Sequence, residues 1–362
     1  DSGDSPLVNL SYTPVTLSEQ SISLSEGWNL VSFNVQPDSM DMTNIFSTLM
    51  NEGSLVKIQD ESGHALVHVD FDIPGFESYW LNGIGDMMNT EGYYVKVNTS
   101  TTVTISGEDV SLPISIPLKS GWNILSYPVS TSQAALEINT TTGDVEGGFF
   151  KSLIDNGSLY KAQNEEGNVV YLISVSGFEP YWYNSIVTIN PGEGYYVRLN
   201  QADTLIVNEG TGSTLTRSSH VNPMQPFHFE RSYAGNPYLP MNLYVMDAKV
   251  DGHLMTSGME IGIYDDGLCV GATVIEDMIE SEMDPVSIIV SMDDPTTFYK
   301  DGYTPGNSIE VRIFDGQDEY TANVGDMIFE SQGTQFMSVN VQTIPNNYRL
   351  YDNYPNPFNP ST

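Results

Sequence analysis

Three blocks of this sequence occur twice, in the same order. SEGWNLVSFNV at 25–35 returns as KSGWNILSYPV at 119–129, LMNEGSLVKIQDESGHALVHV at 49–69 as LIDNGSLYKAQNEEGNVVYLI at 153–173, and GFESYWLNGIGDMMNTEGYYVKV at 75–97 as GFEPYWYNSIVTINPGEGYYVRL at 177–199. The offset is 94 at Trp28/Trp122, 104 at Gly53/Gly157 and 102 at Trp80/Trp182 and Gly92/Gly194, so an insertion near NTTTGDVEGG and a later two-residue deletion separate the copies. Repeated order implies a repeated fold, and the first two thirds of the chain must be built as two like domains.

Within a copy, WNLVSFNV alternates enough to read as a half-buried strand with Trp28, Leu30, Val31 and Phe33 as its apolar positions, and GYYVKV and TTVTI supply two more. Met42, Ile45, Phe46, Leu49 and Met50 have helical spacing, with Gly53 as a stop, so one short helix per copy is expected; GGFFKSLIDNG is its counterpart. The aromatic pairs Tyr79-Trp80 and Tyr181-Trp182 read as core or cross-strand pairs. Trp28 and Trp122 are expected in equivalent buried positions.

After the polar linker NEGTGSTLTRSSH at 208–220 the repeat ends. MEIGIYDDGLCVGATVIED reads as a hairpin turning at Asp265-Asp266-Gly267, and VSIIVSMDDPTTFYKDGYTPGNSIEVRIFDG as strand, acidic loop, strand. The predicted fold is therefore mainly β: an N-terminal extended segment (1–24), β repeat 1 (25–110), β repeat 2 (111–210), a β-sandwich (211–343) and an extended tail (344–362).

Acidic residues number 47 against 12 basic, a formal charge of −35 with no Lys/Arg cluster, which excludes the phosphate-neutralising surface a nucleic-acid partner needs and disfavours an anionic membrane. No apolar run is long enough for a transmembrane helix. The one cysteine, Cys269, cannot form an internal disulfide and reads as a buried strand residue. DSGDSPLVNLSYTP, with no basic or apolar leader, reads as a mature or cut end.

No nucleophile elbow, phosphate-binding glycine loop or regular metal motif is present, so the chain is expected not to be an enzyme and to need no cofactor. His64 and His68 would share a face only on a helix; on a strand, which the alternation favours, they stand about 13 Å apart. The candidate metal ligands are Asp293, Asp294 and Asp301, with Asp315 in the next turn, because hard oxygen ligands on a loop suit Ca²⁺. A solvated acidic loop is the competing reading.

The last residues, LYDNYPNPFNPST, carry three Asn-Pro steps that forbid a helix. Their core, Tyr354, Pro355, Asn356, Pro357, Phe358, Asn359 and Pro360, resembles the opening of the C-terminal sorting domain of type IX secretion substrates from the Bacteroidetes–Chlorobi grouping. The two WNLxS-containing copies are similar to tandem repeats of such secreted proteins, and the third region to a β module that often precedes the signal. The resemblance implies export, a secretion-machinery partner for the tail, and an extracellular or outer-surface location.

Two functions follow as expectations. One is a non-enzymatic structural or adhesive protein, a subunit of an extracellular filament, self-associating through the N-terminal strand or the tail. The other is the carbohydrate-binding accessory region of a larger secreted hydrolase. The strand expected to lack a partner is Leu7 to Leu24, since it precedes the first repeated block.

Overall fold

The computed structural model describes residues 17–70, 77–174, 179–209, 224–277 and 285–342. The protein is mainly β, and it divides into two compact units. The first holds both repeat copies together with Tyr233–Tyr238; the second holds the rest of the C-terminal region, beginning at Pro223. Among the described residues no helix is long and apolar enough to cross a membrane.

Copy 1 contains β1 (Ser18–Leu24), β2 (Gly27–Val31), β3 (Val35–Gln36), α1 (Met42–Ile45), α2 (Ser47–Glu52), β4 (Leu55–Gln59), β5 (Ala65–Val69), β6 (Tyr79–Asn82), β7 (Tyr93–Val97) and β8 (Thr101–Asp109). Copy 2 contains β9 (Ile114–Leu118), β10 (Gly121–Leu125), β11 (Gln133–Ala134), β12 (Glu137–Ile138), β13 (Val145–Gly147), α3 (Lys151–Asp155), β14 (Leu159–Gln163), β15 (Val169–Ile173), β16 (Tyr181–Asn184), β17 (Thr188–Ile189), β18 (Tyr195–Leu199) and β19 (Asp203–Val207). The sheets are β2-β7-β4-β5-β6 and β10-β18-β14-β15-β16, the same order twice. Even the bulge recurs, between Leu55 and Lys57 against β7 and between Leu159 and Lys161 against β18.

The expected single helix of copy 1 is two short turns that meet at Phe46. Asp41 caps the first by accepting the Thr43 N–H at 2.8 Å, and Gly53, at φ 71°, ends the second in the left-handed region. Met42, Phe46 and Leu49 pack with Val31, Phe33, Tyr93, Val95 and Val97 on one face of the sheet.

The N-terminal strand departs from expectation. β1 pairs antiparallel with β8 along its whole length, Ser18 opposite Gly107 through Leu24 opposite Thr101, and β9 pairs with β19 in the same way. Alternation explains this: Ile22 and Leu24 point into the core of copy 1 as Ile116 and Leu118 do in copy 2. Gln20 reinforces it, donating to Ser32 O at 3.1 Å and accepting the Asn34 N–H at 2.9 Å. The first repeat thus begins at 18, within the segment assigned to a separate N-terminal region, and residues 18–24 present no free strand edge toward β8. Residues 1–16 lie outside the described residues.

Each five-stranded sheet buries its second face against the other copy by reciprocal contacts. Leu30 N–H donates to Glu165 Oε2 at 2.8 Å, and its equivalent, Ile124 N–H, donates to Glu61 Oε2 at 3.0 Å. Gly194 N–H reaches Leu30 O at 2.9 Å while Gly92 N–H reaches Ile124 O at 2.8 Å. When i meets j and the equivalent of j meets the equivalent of i, the two copies are related by an approximate two-fold axis. Tyr94 and Tyr196 meet near that axis at 5.6 Å, edge to face, flanked by Trp28 stacked on Tyr94 at 4.2 Å and Trp122 edge-on to Tyr196 at 6.2 Å. The two tryptophans occupy equivalent positions as expected, but each packs on the tyrosine of its own sheet's second face rather than in a core, and Trp28 is buried while Trp122 is partly exposed.

The difference comes from Tyr233–Tyr238, assigned from sequence to the third domain but folded with the repeats. Asn236 Nδ2 donates to Trp28 O at 2.9 Å, and Tyr238 lies tilted against Trp28 at 5.4 Å and stacked on Tyr94 at 5.9 Å. Gly235 permits this approach: it sits at φ 70°, where a side chain would collide with the Glu26 carbonyl.

The second unit contains β20 (Met241–Val250), β21 (His253–Leu254), β22 (Glu260–Asp265), β23 (Leu268–Val274), β24 (Val286–Val290), β25 (Glu310–Phe314), β26 (Glu319–Ala322) and β27 (Thr334–Val341). Two four-stranded sheets share one core, β23-β22-β25-β26 and a sheet in which β20 lies antiparallel to β24 and parallel to β27. This is sandwich-like. Asp266 at φ 51° and Gly267 at φ 82° form the expected two-residue hairpin turn between β22 and β23. Cys269 is buried on β23, as its neighbours implied.

Candidate binding surface

The acidic loop between β24 and β25 is held by its own side chains. At its base Asp293 N–H bonds Tyr303 O at 2.9 Å and Tyr303 N–H bonds Ser291 O at 2.8 Å. Above that, Asp301 Oδ1 accepts the Asp294 N–H at 3.0 Å and Asp293 Oδ1 accepts the Asp301 N–H at 2.9 Å, so two carboxylates cross-brace the strands of the loop. Asp294 Oδ1 accepts both the backbone and the hydroxyl of Thr296, at 2.9 and 2.8 Å. Burial, followed by the charges of Asp294 and Asp293, pushes the Asp301 carboxyl above the usual carboxylate range despite the bond from Asp294 N–H.

A second anchor fixes the loop to the β22–β23 hairpin. Asp265, buried, accepts Lys300 Nζ at 2.8 Å, Thr304 N–H at 2.7 Å and Asn307 Nδ2 at 2.7 Å. Burial alone would raise its pKa, yet these three donors outweigh it and hold the carboxyl low.

What this bracing presents is aromatic. Phe298 is 92% exposed and Tyr299 80% exposed, with their rings 4.9 Å apart and nearly perpendicular. Large aromatics left in water at the tip of a hydrogen-bonded loop can be engaged with little backbone ordering, which is how a small anchor gains affinity. Their signal was the short run Thr-Phe-Tyr-Lys between the acids and Gly302, overlooked because the charges around it defined the loop.

The structure brings Asp293, Asp294 and Asp301 into one loop and places Asp315 in the separate β25–β26 turn, where it accepts Gln317 and Asp318 N–H groups at 2.8 Å. Among the described residues no three His, Cys, Asp or Glu side chains are grouped to hold a metal ion. His64 pairs with Asp60 at 2.8 Å in the β4–β5 turn, while His68, on β5, lies against Trp80 at 5.3 Å. Trp80 and Trp182 pack partly against their cores; Tyr79 is 48% exposed. Tyr354, Pro355, Asn356, Pro357, Phe358, Asn359 and Pro360 lie outside the described residues.

Two charged residues in copy 2 also carry no mark of their surroundings in the local sequence, Lys161, which is buried, and Glu165, which is half-buried. Both recur in copy 1, as Lys57 and Glu61, in blocks where most surface positions differ, and that retention was the available signal. No protein-family model, curated protein or solved structure matches the chain.

Proposed function

We propose that the protein is a non-enzymatic structural or adhesive component of an extracellular or outer-surface assembly, exported by way of its Tyr354–Pro360 segment. The observation that carries the reading is the braced loop bearing Phe298 and Tyr299, a rigid mount for two exposed rings. Such a feature serves contact rather than turnover. The repeat module supports the same reading, because its reciprocal contacts use its retained aromatics to join copies rather than to line a reaction site.

The test is adhesion by the full chain against the Phe298→Ser/Tyr299→Ser variant, using protein-coated beads on cells and matrix, alongside electron microscopy of the purified native protein. Adhesion should drop by about tenfold or more in the variant, the scale of losing an anchor residue. Equal adhesion by both proteins removes the loop from the function.

The same exposed rings favour a second reading, a carbohydrate-binding accessory region of a larger secreted hydrolase, since an aromatic face also takes a sugar ring. Retention on one polysaccharide from a panel, lost in Tyr299→Ala, with no self-association of the chain, selects that reading.

A further inference from the structure

The approximate two-fold axis of the repeat module generates two equivalent clefts, each at the edge strand of a five-stranded sheet. The first is formed by Gly27, Trp28 and Tyr94, and Tyr233–Tyr238 fills it: backbone atoms of Ala234 and Asn236 lie over Gly27, Asn236 bonds Trp28 O, and Tyr238 covers the indole. The second is formed by Gly121, Trp122 and Tyr196. There the space over Gly121 is open, and Trp122 is partly exposed where Trp28 is buried. β10 is the edge of its sheet as β2 is of its own.

The occupant of the first cleft presents Asn-Pro-aromatic, as Asn236-Pro237-Tyr238. That tripeptide occurs at one other place in the chain, Asn356-Pro357-Phe358; the remaining Asn-Pro pairs are followed by Gly192, Met224 and Ser361. Each part has a function in the first cleft. Asparagine supplies a side-chain amide to the carbonyl of the tryptophan, proline fixes an extended backbone, and the aromatic ring lies tilted against the indole and stacked on the tyrosine beside it. Upstream the two segments differ: Pro355, whose ring forbids a positive φ, stands where Gly235 makes its turn at φ 70°, so the tripeptide alone is what they share.

We propose that the cleft of Gly121, Trp122 and Tyr196 receives Asn356-Pro357-Phe358 from a second copy of this chain. The contact is heterologous: each docked molecule still offers one cleft and one tail, so association continues as an open chain rather than closing. This deepens the structural reading above by naming the self-association site, and it rests on that reading.

The test measures association of the full chain by sedimentation velocity across a wide concentration range. The intact chain should associate, and both Phe358→Ala and Trp122→Ala should weaken association about 30-fold, the effect of removing an aromatic anchor. Mixing these two variants should restore a single contact and give a capped dimer, because one retains a cleft and the other a tail. Should Trp122→Ala fail to fold, peptides settle the matter on the unaltered protein: YDNYPNPFNPST should dissociate the assemblies, YAGNPYLP should compete with it, and the tail peptide with Asn and Phe of its NPF replaced by Ala should do neither. A chain that stays monomeric throughout overturns the proposal, even if the peptide binds. Association unaffected by Phe358→Ala also overturns it, while leaving the structural reading standing.

Discussion

Glu165 accepts the Leu30 N–H across the interface between the copies, in the company of Glu193 and Glu166. Burial, with those two charges, pushes its carboxyl up to about 7, against the opposing bonds from Leu30 and Asn236. A carboxyl that holds its proton more tightly in the folded state contributes stability that is complete below its ordinary value near 4.5 and is lost as pH rises through about 7. Partial exposure keeps the effect to about 1–2 kcal/mol. Glu165→Gln should therefore flatten the decline of stability between pH 5 and 8, and be the more stable protein at pH 8, in chemical denaturation of the repeat unit. Lys161 works in the other direction. Burial, then the nearby Arg198 charge, lowers its pKa to about 7, so the folded protein releases a proton that the unfolded chain keeps until about 10.5. Stability from this residue rises with pH across that window. Lys161→Met should abolish the rise, leaving the variant's advantage largest near pH 7 and gone by pH 10. Neither residue could be assigned from its neighbours in sequence, because a lysine in an alternating strand reads as solvent-facing; Lys161 instead sits in the middle of its sheet, opposite Tyr171 on β15 and Arg198 on β18.

Among the elements, the equivalent strands β2 and β10 offer a controlled comparison. Trp28 is covered by Tyr238 and, among the described residues, Trp122 has no counterpart cover, although the two share register, sheet order and an adjacent tyrosine. Trp28→Ala should cost about 3–5 kcal/mol, and Trp122→Ala less than half as much, measured by denaturation of the same unit. Tyr238→Ala should destabilise the repeats by about 2–4 kcal/mol even though residue 238 is far from either copy in sequence. Much of this was legible: the alternation in WNLVSFNV, the Gly53 stop and the turn at Asp266-Gly267 follow from local rules, and the shared β-rich fold of the copies from the repeated blocks. The pairing of β1 with β8 falls outside the three repeated blocks, which start at residue 25, although SISL at 21–24 and SIPL at 115–118 carry the same alternation. The return of Tyr233–Tyr238 to the first unit was not legible. Its only local mark is the Gly-Asn-Pro turn, and what it packs against is set by the two-fold arrangement rather than by anything within it.

At the scale of the repeat unit, each copy has one core of its own and one face completed by the other copy. Leu30 and Tyr94 on copy 1, with Ile124 and Tyr196 on copy 2, are residues left uncovered when the pair is split. We expect residues 18–109 expressed alone to associate as a dimer or larger species, with Leu30→Glu returning it to a monomer of lower stability; sedimentation equilibrium distinguishes these. A soluble, stable monomer from residues 18–109 without substitution would show that the second face needs no cover.

The asymmetry at the two clefts reads as history. A surface complementary to itself is what a homodimer of a single copy requires, and joining two such copies in one chain by gene duplication fixes their ratio at one to one while freeing each from the other's constraints. Before fusion, any change beside one glutamate was a change beside both. After it, Lys119 could come to pair with Glu61 at 2.6 Å while Ser25, its counterpart, left Glu165 to meet Asn236 instead. Divergence between the halves is then readable at a few paired positions, among them the two clefts, of which one holds Tyr233–Tyr238.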